Sequence, residues 1–342
     1  MKAAAIEKHG DIDVIELKTV DDPTPAADEV VVDIRAAALN HLDIWVRKGG
    51  RMEIPFPHVL GSDGAGRITA VGENVENRSA GDEVIINAAL SCDRCEFCRR
   101  GQHSLCENFG LIGFMRWGTF AEKAAVPARN VFPKPCHLNW AEAAALPLAH
   151  VTAWRMLMTR LKIGPEQTVL IHGIGGGVAL AGLQIAKAAG ARVIVTSSDN
   201  EKLAAAEERG ADFGINYTKQ DIDEAVGDYT AGRGVDAILD SVGSATWETN
   251  FKVLRRGGAV AHCGITTGAE ATVSIQQLYW NQFTVMGSTM GSDEDFRQMI
   301  SAAENNDIKP VIDSTFPLEK IRDATARMEQ GKQFGKIVLT VD

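Results

Sequence analysis

Hydrophobic positions change their spacing near Asn139. Before that point, short apolar runs are separated by glycine, proline and aspartate, which is typical of a barrel-like unit of short strands. After it, apolar runs of strand length alternate with longer segments in which apolar residues recur every three or four positions. This alternation predicts a doubly wound parallel sheet. We therefore expect an α/β protein in which a β-rich unit precedes the parallel sheet.

The same periodicity locates individual elements. In the first part it predicts strands at 13–17, 29–36, 66–71 and 82–87. In the second part it predicts strands at 168–172, 192–196, 213–216, 237–239, 259–262 and 284–286, with helices at 178–189, 201–208, 222–229 and 245–253. A helix at 293–305 and a last strand at 336–341 follow, and that strand is expected to return to the first unit. The predicted domains are 1–148, 149–287 and a C-terminal return at 288–342.

A strand, a glycine turn and a helix follow one another directly at the start of the second part. The turn has the pattern Gly173-x-x-Gly176-x-x-Ala179, one residue longer than the usual dinucleotide fingerprint and with alanine in the third place. The helix is expected to open at Val178, so its free N–H groups and its dipole point at the turn. We interpret Gly173, Gly176, Gly177 and Val178 as a cradle for a pyrophosphate. A plain tight βα connection is the alternative.

Composition narrows the class of protein. The 342 residues have near-average apolar and charged fractions and suffice for two domains with cores of their own. The formal net charge of −10 argues against broad contact with a phosphate backbone, so we expect no nucleic acid partner. No apolar run reaches the length of a membrane span and no secretory leader is evident. We expect a cytoplasmic protein that acts on a small molecule, with no membrane partner.

Four cysteines crowd one short loop of the first part. Cys92, Cys95, Cys98 and Cys106 follow the order C-x2-C-x2-C-x7-C within 91–107. Four thiolates at this spacing match a closed tetrahedral Zn²⁺ site, which leaves no coordination position for a substrate. Disulfides or an iron–sulfur cluster are the alternatives, and disulfides are disfavoured in a reducing cytosol. We predict one structural zinc ion.

The order of these features, a β-rich unit, a cysteine loop and a nucleotide-binding unit, resembles the medium-chain dehydrogenase/reductase superfamily. That family combines a GroES-like catalytic domain with a Rossmann domain, and the likeness runs along nearly the whole chain. It is carried by Pro57-His-Val-Leu-Gly-Ser-Asp-Gly-Ala-Gly66, Val71-Gly72, Ala80-Gly-Asp-Glu-Val84, Gly118-Thr-Phe-Ala-Glu122, Asp240-Ser-Val-Gly243, Leu254-Arg-Arg-Gly-Gly258 and Gly335-Lys336. The resemblance implies an NAD(P)H-dependent oxidoreductase.

The chain departs from the zinc alcohol dehydrogenases of that superfamily at all three catalytic-zinc positions. Those enzymes have a cysteine where this chain has Asn40, a histidine where it has Ser62, and a third ligand where it has Leu148. An open catalytic site needs about three protein ligands, so we expect no catalytic zinc. Asn40 instead resembles the zinc-independent quinone oxidoreductase branch. The alternative is a site rearranged around nearby histidines, namely His41, His58 and His150.

Without a metal to polarise a carbonyl, the substrate is expected to be electrophilic already: a quinone or an α,β-unsaturated carbonyl compound. By the resemblance, Asn40 borders the nicotinamide and donates to the substrate oxygen, and Ser62 does likewise. Asp43 and Asp63 order water or backbone, with a purely structural role as the alternative. Enoyl-thioester reductases of the superfamily use a tyrosine acid from the N-terminal domain. This chain has no tyrosine there, which counts against an enoyl-thioester substrate.

The end of the second predicted Rossmann strand bears on the cofactor. NAD enzymes of this architecture keep an acid there for the adenosine ribose, whereas this chain has Ser197 followed by Ser198. Two hydroxyls with Lys202 one helical turn further suit a 2′-phosphate, so we predict NADPH rather than NADH. Asp199, the nearest acidic residue, lies two positions after Ser197 and is interpreted as the N-cap of the next helix.

The resemblance adds three more cofactor contacts. Tyr217 resembles a tyrosine at the adenosine end in quinone oxidoreductases, with ordinary strand-end packing as the alternative. Thr152 would approach the nicotinamide side, and Lys336 the pyrophosphate.

Three functional hypotheses follow. The first is an NADPH-dependent reductase of quinones or enones, and the second is an alcohol or aldehyde dehydrogenase with an atypical metal site. The third is an NADPH-binding protein without turnover that acts as a redox sensor or binds RNA, although the acidic balance counts against RNA. An apolar edge near Tyr279 favours a homodimer, or a homotetramer built from such dimers.

Overall fold

The computed structural model describes residues 1–49 and 54–341, which form two compact units. One unit comprises Met1–Leu148 together with Gly291–Asp342, and the other comprises Ala149–Met290. Across the described residues, no helix is long and apolar enough to cross a membrane.

The secondary structure consists of short strands in the first unit and alternating strands and helices in the second. The strands are β1 Lys2–Ile6, β2 Glu16–Thr19, β3 Glu29–Ala38, β4 His58–Val59, β5 Asp63–Val71, β6 Glu83–Ile86, β7 Ala89–Leu90, β8 Gly110–Leu111, β9 Lys123–Pro127, β10 Val131–Pro133, β11 Thr168–Ile171, β12 Arg192–Ser197, β13 Phe213–Asn216, β14 Val235–Asp240, β15 Leu254–His262, β16 Thr284–Gly287, β17 Ile312–Pro317 and β18 Lys336–Thr340. The helices are α1 His41–Lys48, α2 Glu96–Arg99, α3 Trp140–Ala145, α4 Pro147–Trp154, α5 Gly177–Ala188, α6 Asn200–Glu207, α7 Ile222–Tyr229, α8 Ser244–Val253, α9 Ile275–Asn281, α10 Asp293–Asn305 and α11 Ile321–Glu329.

The first unit is organised around strand β3. Its main sheet has the order β10-β6-β5-β3-β18-β17, and β9 also pairs with β3. Alanine and valine fill most of β3 and are buried, so neighbouring strands and helix α3 approach it closely. Strands β7 and β8 pair at the two ends of the cysteine loop. β18 comes from the end of the chain and lies against β3, as predicted for the last strand.

The second unit is a six-stranded parallel sheet in the order β13-β12-β11-β14-β15-β16. Its central strands read as near-continuous apolar runs because both faces are covered. Leu170, Ile194, Ile238 and Val260 lie in one buried cluster of this unit. The α/β fold with a parallel Rossmann sheet is confirmed.

One predicted strand is wrong in its first half. Residues 13–17 were expected to be extended, but Ile12–Val14 forms a single 3₁₀ turn and β2 begins only at Glu16. The backbone N–H groups of Val14 and Ile15 donate to Asp11 and Ile12, so their hydrogen bonds are satisfied locally instead of by a neighbouring strand.

Candidate active site

A buried ion pair lies at the centre of the first unit's candidate site. The ammonium of Lys336 donates to Asp63 Oδ2 at 2.9 Å and to Asn40 Oδ1 at 2.6 Å. The Asn40 amide closes the triangle, since its Nδ2 donates to Asp63 Oδ2 at 2.9 Å. Asp63 is fully buried and Lys336 is 4% exposed. Ions this deep are costly unless they are paired and hydrogen-bonded, as these are.

Strand register brings the three residues together. Ala38 at the end of β3 pairs with Asp63, the first residue of β5, and also with Val338 of β18. Asn40 lies two residues beyond Ala38, and Lys336 lies two residues before Val338 on an antiparallel strand. All three residues therefore lie at the same end of the three adjacent strands β5, β3 and β18. Asp63 is further fixed by the backbone N–H of Leu148, which donates to its Oδ1 at 2.9 Å.

Asp43 lies in the first turn of α1, directly beside this ion pair. Its Oδ2 accepts the backbone N–H of Asn40, the N-cap residue, at 2.7 Å. Burial raises the pKa of the Asp43 carboxyl from 3.8 to about 7, although the Asn40 N–H and the Lys336 charge oppose the shift. The nearby Asp63 carboxylate adds to it. Asp43 is thus a group whose protonation changes near neutral pH.

This shift makes stability depend on pH in a defined direction. Between about pH 4 and pH 7 the folded protein holds a proton at Asp43 that the unfolded chain has lost, so the stabilisation is present below pH 4 and disappears as the pH rises towards 7. The variant Asp43→Asn keeps the oxygen that caps α1 and does not titrate. We expect its unfolding free energy to rise relative to the unsubstituted protein by roughly 2–4 kcal/mol between pH 4 and pH 8. Denaturant unfolding at several pH values measures this, and a constant difference would contradict it.

The donor set does not fit the catalytic zinc of the zinc alcohol dehydrogenases. Ser62 is fully buried and its hydroxyl donates to the carbonyl of Ile112 at 2.8 Å. Leu148 offers an aliphatic side chain, and the Asn40 amide is engaged by Lys336 and Asp63. An amide, a hydroxyl and an alkyl group are poor zinc ligands, and the Lys336 ammonium already balances the nearby carboxylate. In the residues described, only the four loop cysteines form a metal-binding cluster of three or more His, Cys, Asp or Glu side chains.

Two of the three histidines considered for a rearranged site, His58 and His150, have other partners. His58 is fully buried with its Nε2 3.1 Å from the carbonyl oxygen of Gly113. In the second unit, His150 Nε2 lies 3.2 Å from Gln184 Oε1. Neither contact supports a metal site.

The four loop cysteines do fit a zinc ion. The Sγ atoms of Cys92, Cys95, Cys98 and Cys106 all lie within 4.8 Å of one another, and all four are free thiols. Tetrahedral zinc at about 2.3 Å from each sulfur requires such convergence. Backbone N–H groups of Arg94 and Cys95 also favour the thiolate of Cys92 and lower its pKa to about 6. These residues would hold one structural zinc.

The glycine turn of the second unit has the geometry of an anion cradle. Gly173 and Gly175 have φ of 68° and 128°, which side chains rarely tolerate. Gly176 is the N-cap of α5, so the helix opens at Gly177, one residue earlier than predicted. A Cβ at Gly176 would meet only the Gly173 carbonyl oxygen at 3.8 Å, so the backbone is open on that side. The first-turn N–H groups of Gly177 and Val178 are those that bind phosphate in such turns.

The end of β12 presents hydroxyls, as expected. Ser197 is buried and its Oγ accepts the backbone N–H of Asp199 at 3.1 Å, whereas Ser198 is exposed. Asp199 is the N-cap of α6 and accepts the N–H of Glu201 at 2.8 Å, which confirms the capping interpretation. Lys202 follows in the first turn of that helix. No carboxylate therefore stands at the end of β12 itself.

Two further predicted cofactor residues also lie in the second unit. Tyr217 is 51% exposed and follows β13, with its backbone N–H donating to the carbonyl of Ser197 at 3.1 Å. Thr152 is buried in α4, and its hydroxyl lies 3.8 Å from the sulfur of Met290. Their roles stay predictions.

A buried network behind the glycine turn was missed by the sequence analysis. Asp240 accepts the Asn250 amide at 2.7 Å, and Asn250 Oδ1 lies 2.9 Å from His172 Nε2. His172 Nδ1 lies 3.2 Å from Thr196 Oγ1, which accepts the backbone N–H of Gly173 at 3.2 Å. Burial lowers the pKa of His172, so the ring is neutral and donates at one nitrogen while accepting at the other. The one signal in the sequence that could have pointed to it is a polar residue, His172, at the end of the apolar run 168–172.

The fold and these sites define a class: a dehydrogenase or reductase with a GroES-like unit and a Rossmann unit. The sequence matches the family described as alcohol dehydrogenase GroES-like domain over residues 26–136, and the family described as zinc-binding dehydrogenase over residues 177–305. A protein named NAD-dependent alcohol dehydrogenase from Sulfurisphaera tokodaii is 32% identical over 335 residues, which cover 95% of this chain and 96% of the relative. The chain belongs to the medium-chain dehydrogenase/reductase superfamily and is an oxidoreductase.

Solved structures agree with this placement. A crystal structure named NAD-dependent alcohol dehydrogenase superposes with a TM-score of 0.96 at 40% identity and covers 100% of both chains. A structure named crotonyl-CoA carboxylase/reductase superposes with a TM-score of 0.94 at 28% identity, covering 100% of this chain and 88% of the other. Because these similar proteins are named as enzymes, the comparisons favour the hypothesis that this chain is an enzyme over the hypothesis of a sensor without turnover.

Proposed function

We propose that the chain is an NADPH-dependent oxidoreductase that reduces quinones or α,β-unsaturated carbonyl compounds without a catalytic zinc, as in the zinc-independent quinone oxidoreductase branch. The observation that carries this proposal is the pairing of Lys336 with Asp63 and with Asn40, the residue that stands, by the resemblance, where the zinc enzymes have a cysteine ligand. A fixed ammonium there supplies positive charge but no open coordination position for an alcohol. Substrates that accept hydride without metal activation suit such a site.

The substrate class has further support. The crotonyl-CoA carboxylase/reductase that resembles this chain is named for an unsaturated thioester. In this proposal the cofactor supplies the hydride, and Asn40, Asp43 and Asp63 shape and polarise the substrate side. Ser62 contributes by fixing backbone, because its only proton is directed to Ile112.

The test is a panel of quinones, enones, enoyl thioesters, aldehydes and alcohols, followed by the change in NADPH or NADP⁺ absorbance. We expect turnover with quinones and enones and little with aldehydes and alcohols. Oxidation of simple alcohols with no activity on any quinone, enone or enoyl thioester would contradict the proposal.

The second candidate is an alcohol or aldehyde dehydrogenase, because relatives of this chain carry that name. It requires a second metal site besides the cysteine loop. Elemental analysis separates the two candidates, with about one zinc per chain for the first and about two for the second.

The preference for NADPH is also a proposal, since relatives are named NAD-dependent. It is supported by Ser197 and Ser198 at the end of β12, by Lys202 in the next turn, and by the engagement of Asp199 as a helix cap. The Asn216 side chain stabilises the segment between β12 and α6, because its Nδ2 donates to the Ser198 carbonyl at 3.2 Å.

The variant Ser198→Asp tests this preference. A carboxylate at this exposed position would repel the 2′-phosphate and accept hydrogen bonds from a free ribose. We expect the KM for NADPH to rise at least roughly 10-fold and the KM for NADH to stay level or fall. Ser198→Asn is the matched neutral control and should change the KM for NADPH much less. Equal effects of both variants on both cofactors would remove Ser198 from the cofactor site.

We also propose a homodimer, or a homotetramer built from it, in the cytoplasm. Among the strands described, β16 is a sheet edge that pairs only with β15, and the preceding α9 exposes Ile275, Tyr279 and Trp280 at 77%, 64% and 66%. An open strand edge beside large exposed apolar groups suits twofold pairing with a second copy. The molar mass measured by light scattering tests this, and a monomer at micromolar concentration would contradict it.

A further inference from the structure

Four buried polar side chains link the glycine turn to the end of strand β14. They are Thr196, His172, Asn250 and Asp240, and none of them is more than 1% exposed. The separations along this row are 3.2 Å from Thr196 Oγ1 to His172 Nδ1, 2.9 Å from His172 Nε2 to Asn250 Oδ1, and 2.7 Å from Asn250 Nδ2 to Asp240 Oδ2. We call these four residues the His172 network.

Each hydrogen bond of the His172 network has one possible direction. Burial alone would raise the pKa of Asp240, but the His262 ring 3.7 Å away and the Asn250 amide lower it, so Asp240 is a carboxylate that can only accept. The Asn250 side chain therefore turns its NH2 group to Asp240 and its oxygen to His172, whose Nε2 must donate to that oxygen. Because burial lowers the pKa of His172, the ring is neutral, so its Nδ1 carries no proton and accepts the Thr196 hydroxyl.

The network ends on backbone N–H groups of two separate segments. At one end, Thr196 Oγ1 accepts the N–H of Gly173, which begins the glycine turn, at 3.2 Å. At the other end, Asp240 Oδ1 accepts the N–H of Val242, in the segment 241–243 that follows β14, at 2.8 Å. The two segments are also close to each other, since a Cβ at Gly173 would lie 3.2 Å from Cγ2 of Val242. The network therefore fixes the glycine turn and the segment 241–243 in one arrangement.

Both segments lie at the carboxyl ends of parallel strands, where the strand order of the sheet reverses. In the order β13-β12-β11-β14-β15-β16, successive strands are added outward from β11 on one side and from β14 on the other. Ligands of open α/β sheets bind in the crevice at such a point. The relative position of the two segments therefore sets the shape of the crevice that a dinucleotide would enter.

A network of this kind defines geometry more than it adds stability. A buried hydrogen bond contributes only modest net free energy to folding, whereas a fully satisfied polar network permits a single arrangement of the groups that it joins. Apolar side chains would fill the same space without fixing the two backbone N–H groups.

We propose that His172 is a positioning residue for the nicotinamide cofactor, which it serves by holding the glycine turn and the segment 241–243 in the arrangement that the dinucleotide requires. This inference rests on the proposed function only in taking NADPH as the cofactor. It concerns cofactor affinity, which is measured without any substrate.

The test is the Kd for NADPH, measured by fluorescence titration of the full-length, zinc-loaded protein. His172→Phe keeps a ring of similar size that neither donates nor accepts, so it uncouples the two segments. We expect its Kd to rise at least roughly 10-fold. His172→Gln can direct an oxygen to Thr196 and an NH2 group to Asn250, so it should keep the Kd within about 3-fold of the unsubstituted value. An unchanged Kd in His172→Phe would overturn the inference.

Asp236→Asn is the matched control for a general loss of stability. Asp236 lies near the start of β14, at the opposite end of the strand from Asp240, and its buried carboxylate pairs with Arg233 and Arg255. This variant should unfold more easily than the unsubstituted protein and keep its Kd for NADPH within about 2-fold. A rise in Kd as large as that of His172→Phe would overturn the inference, because loss of stability would then explain both.

A second measurement needs no variant. The ¹⁵N chemical shifts of the His172 ring report which of its two nitrogens carries a proton. We expect the neutral form protonated at Nε2 throughout the range from about pH 6 to pH 8. A ring protonated at Nδ1, or one that becomes charged within this range, would overturn the inference because the network would then lack the directions that fix both segments.

Failure of this inference and failure of the proposed function give different results. If no quinone or enone is reduced, the proposed function fails, and the Kd values still decide the role of His172. If the unsubstituted protein binds NADH more tightly than NADPH, the proposed cofactor preference fails, and the same comparison of variants is decided with NADH.

Discussion

Replacing Asp63 with asparagine is expected to lower the free energy of unfolding by about 3–5 kcal/mol. The substitution changes no volume, but it leaves the Lys336 ammonium buried with two neutral partners. Asp63 also accepts hydrogen bonds from Asn40 and from the Leu148 backbone, so its charge fixes three separate segments of the first unit. The midpoint of thermal unfolding should fall by roughly 10 °C. Calorimetry and denaturant titration both measure this.

The double variant Asp63→Asn with Lys336→Met is the control for this prediction. Because it removes the unpaired charge, we expect it to be more stable than Asp63→Asn alone, which makes the two substitutions strongly non-additive. If the stability losses of the two single variants simply add, the two side chains do not interact as the structure indicates.

Replacing Cys106 with serine is expected to abolish zinc binding by the loop. Cys106 is buried, and its sulfur accepts the backbone N–H groups of Cys92 at 3.2 Å and Asn108 at 3.3 Å. Closed zinc sites contribute folding free energy outright, so the loss of one ligand destabilises the whole loop between β7 and β8. We expect the zinc content to fall from about one per chain to near zero and the unfolding midpoint to fall by roughly 10 °C.

Cys136→Ser provides the matched control, since Cys136 is exposed and lies outside the cluster. It should retain its zinc and unfold as the unsubstituted protein does. Full zinc content in the Cys106→Ser variant would show that the loop is not the metal site.

The fold class followed from the sequence because the spacing of apolar residues is strong in the second unit. Fully buried strands such as β11 and β12 produce short continuous apolar runs, and helix α5 produces the period of a half-buried helix. Helix α10 was predicted with the bounds it has in the structure, because Ser292 caps it and its apolar residues face one side. Helix α9 was not predicted; it spans only seven residues, and none of them is buried.

The candidate site was only partly accessible from the sequence. Asn40, Asp43, Ser62 and Asp63 were singled out because they lie in two short family motifs. The contact between Lys336 and Asp63 was not predicted, because 273 positions separate them and only the order β5-β3-β18 brings them together. Local patterns carry no information about which distant strands pair with each other. The residues that Lys336 contacts therefore cannot be predicted until the order of the strands in the sheet is known.

Whether this oxidoreductase works without a catalytic zinc, as we propose, can be measured in one experiment. The most direct measurement is elemental analysis and turnover on the same purified sample, using NADPH and the best quinone or enone of the panel. We expect about one zinc per chain, held by the cysteine loop, with turnover unchanged by added zinc. About two zinc ions per chain, with turnover that rises in step with occupancy of the second, would contradict it.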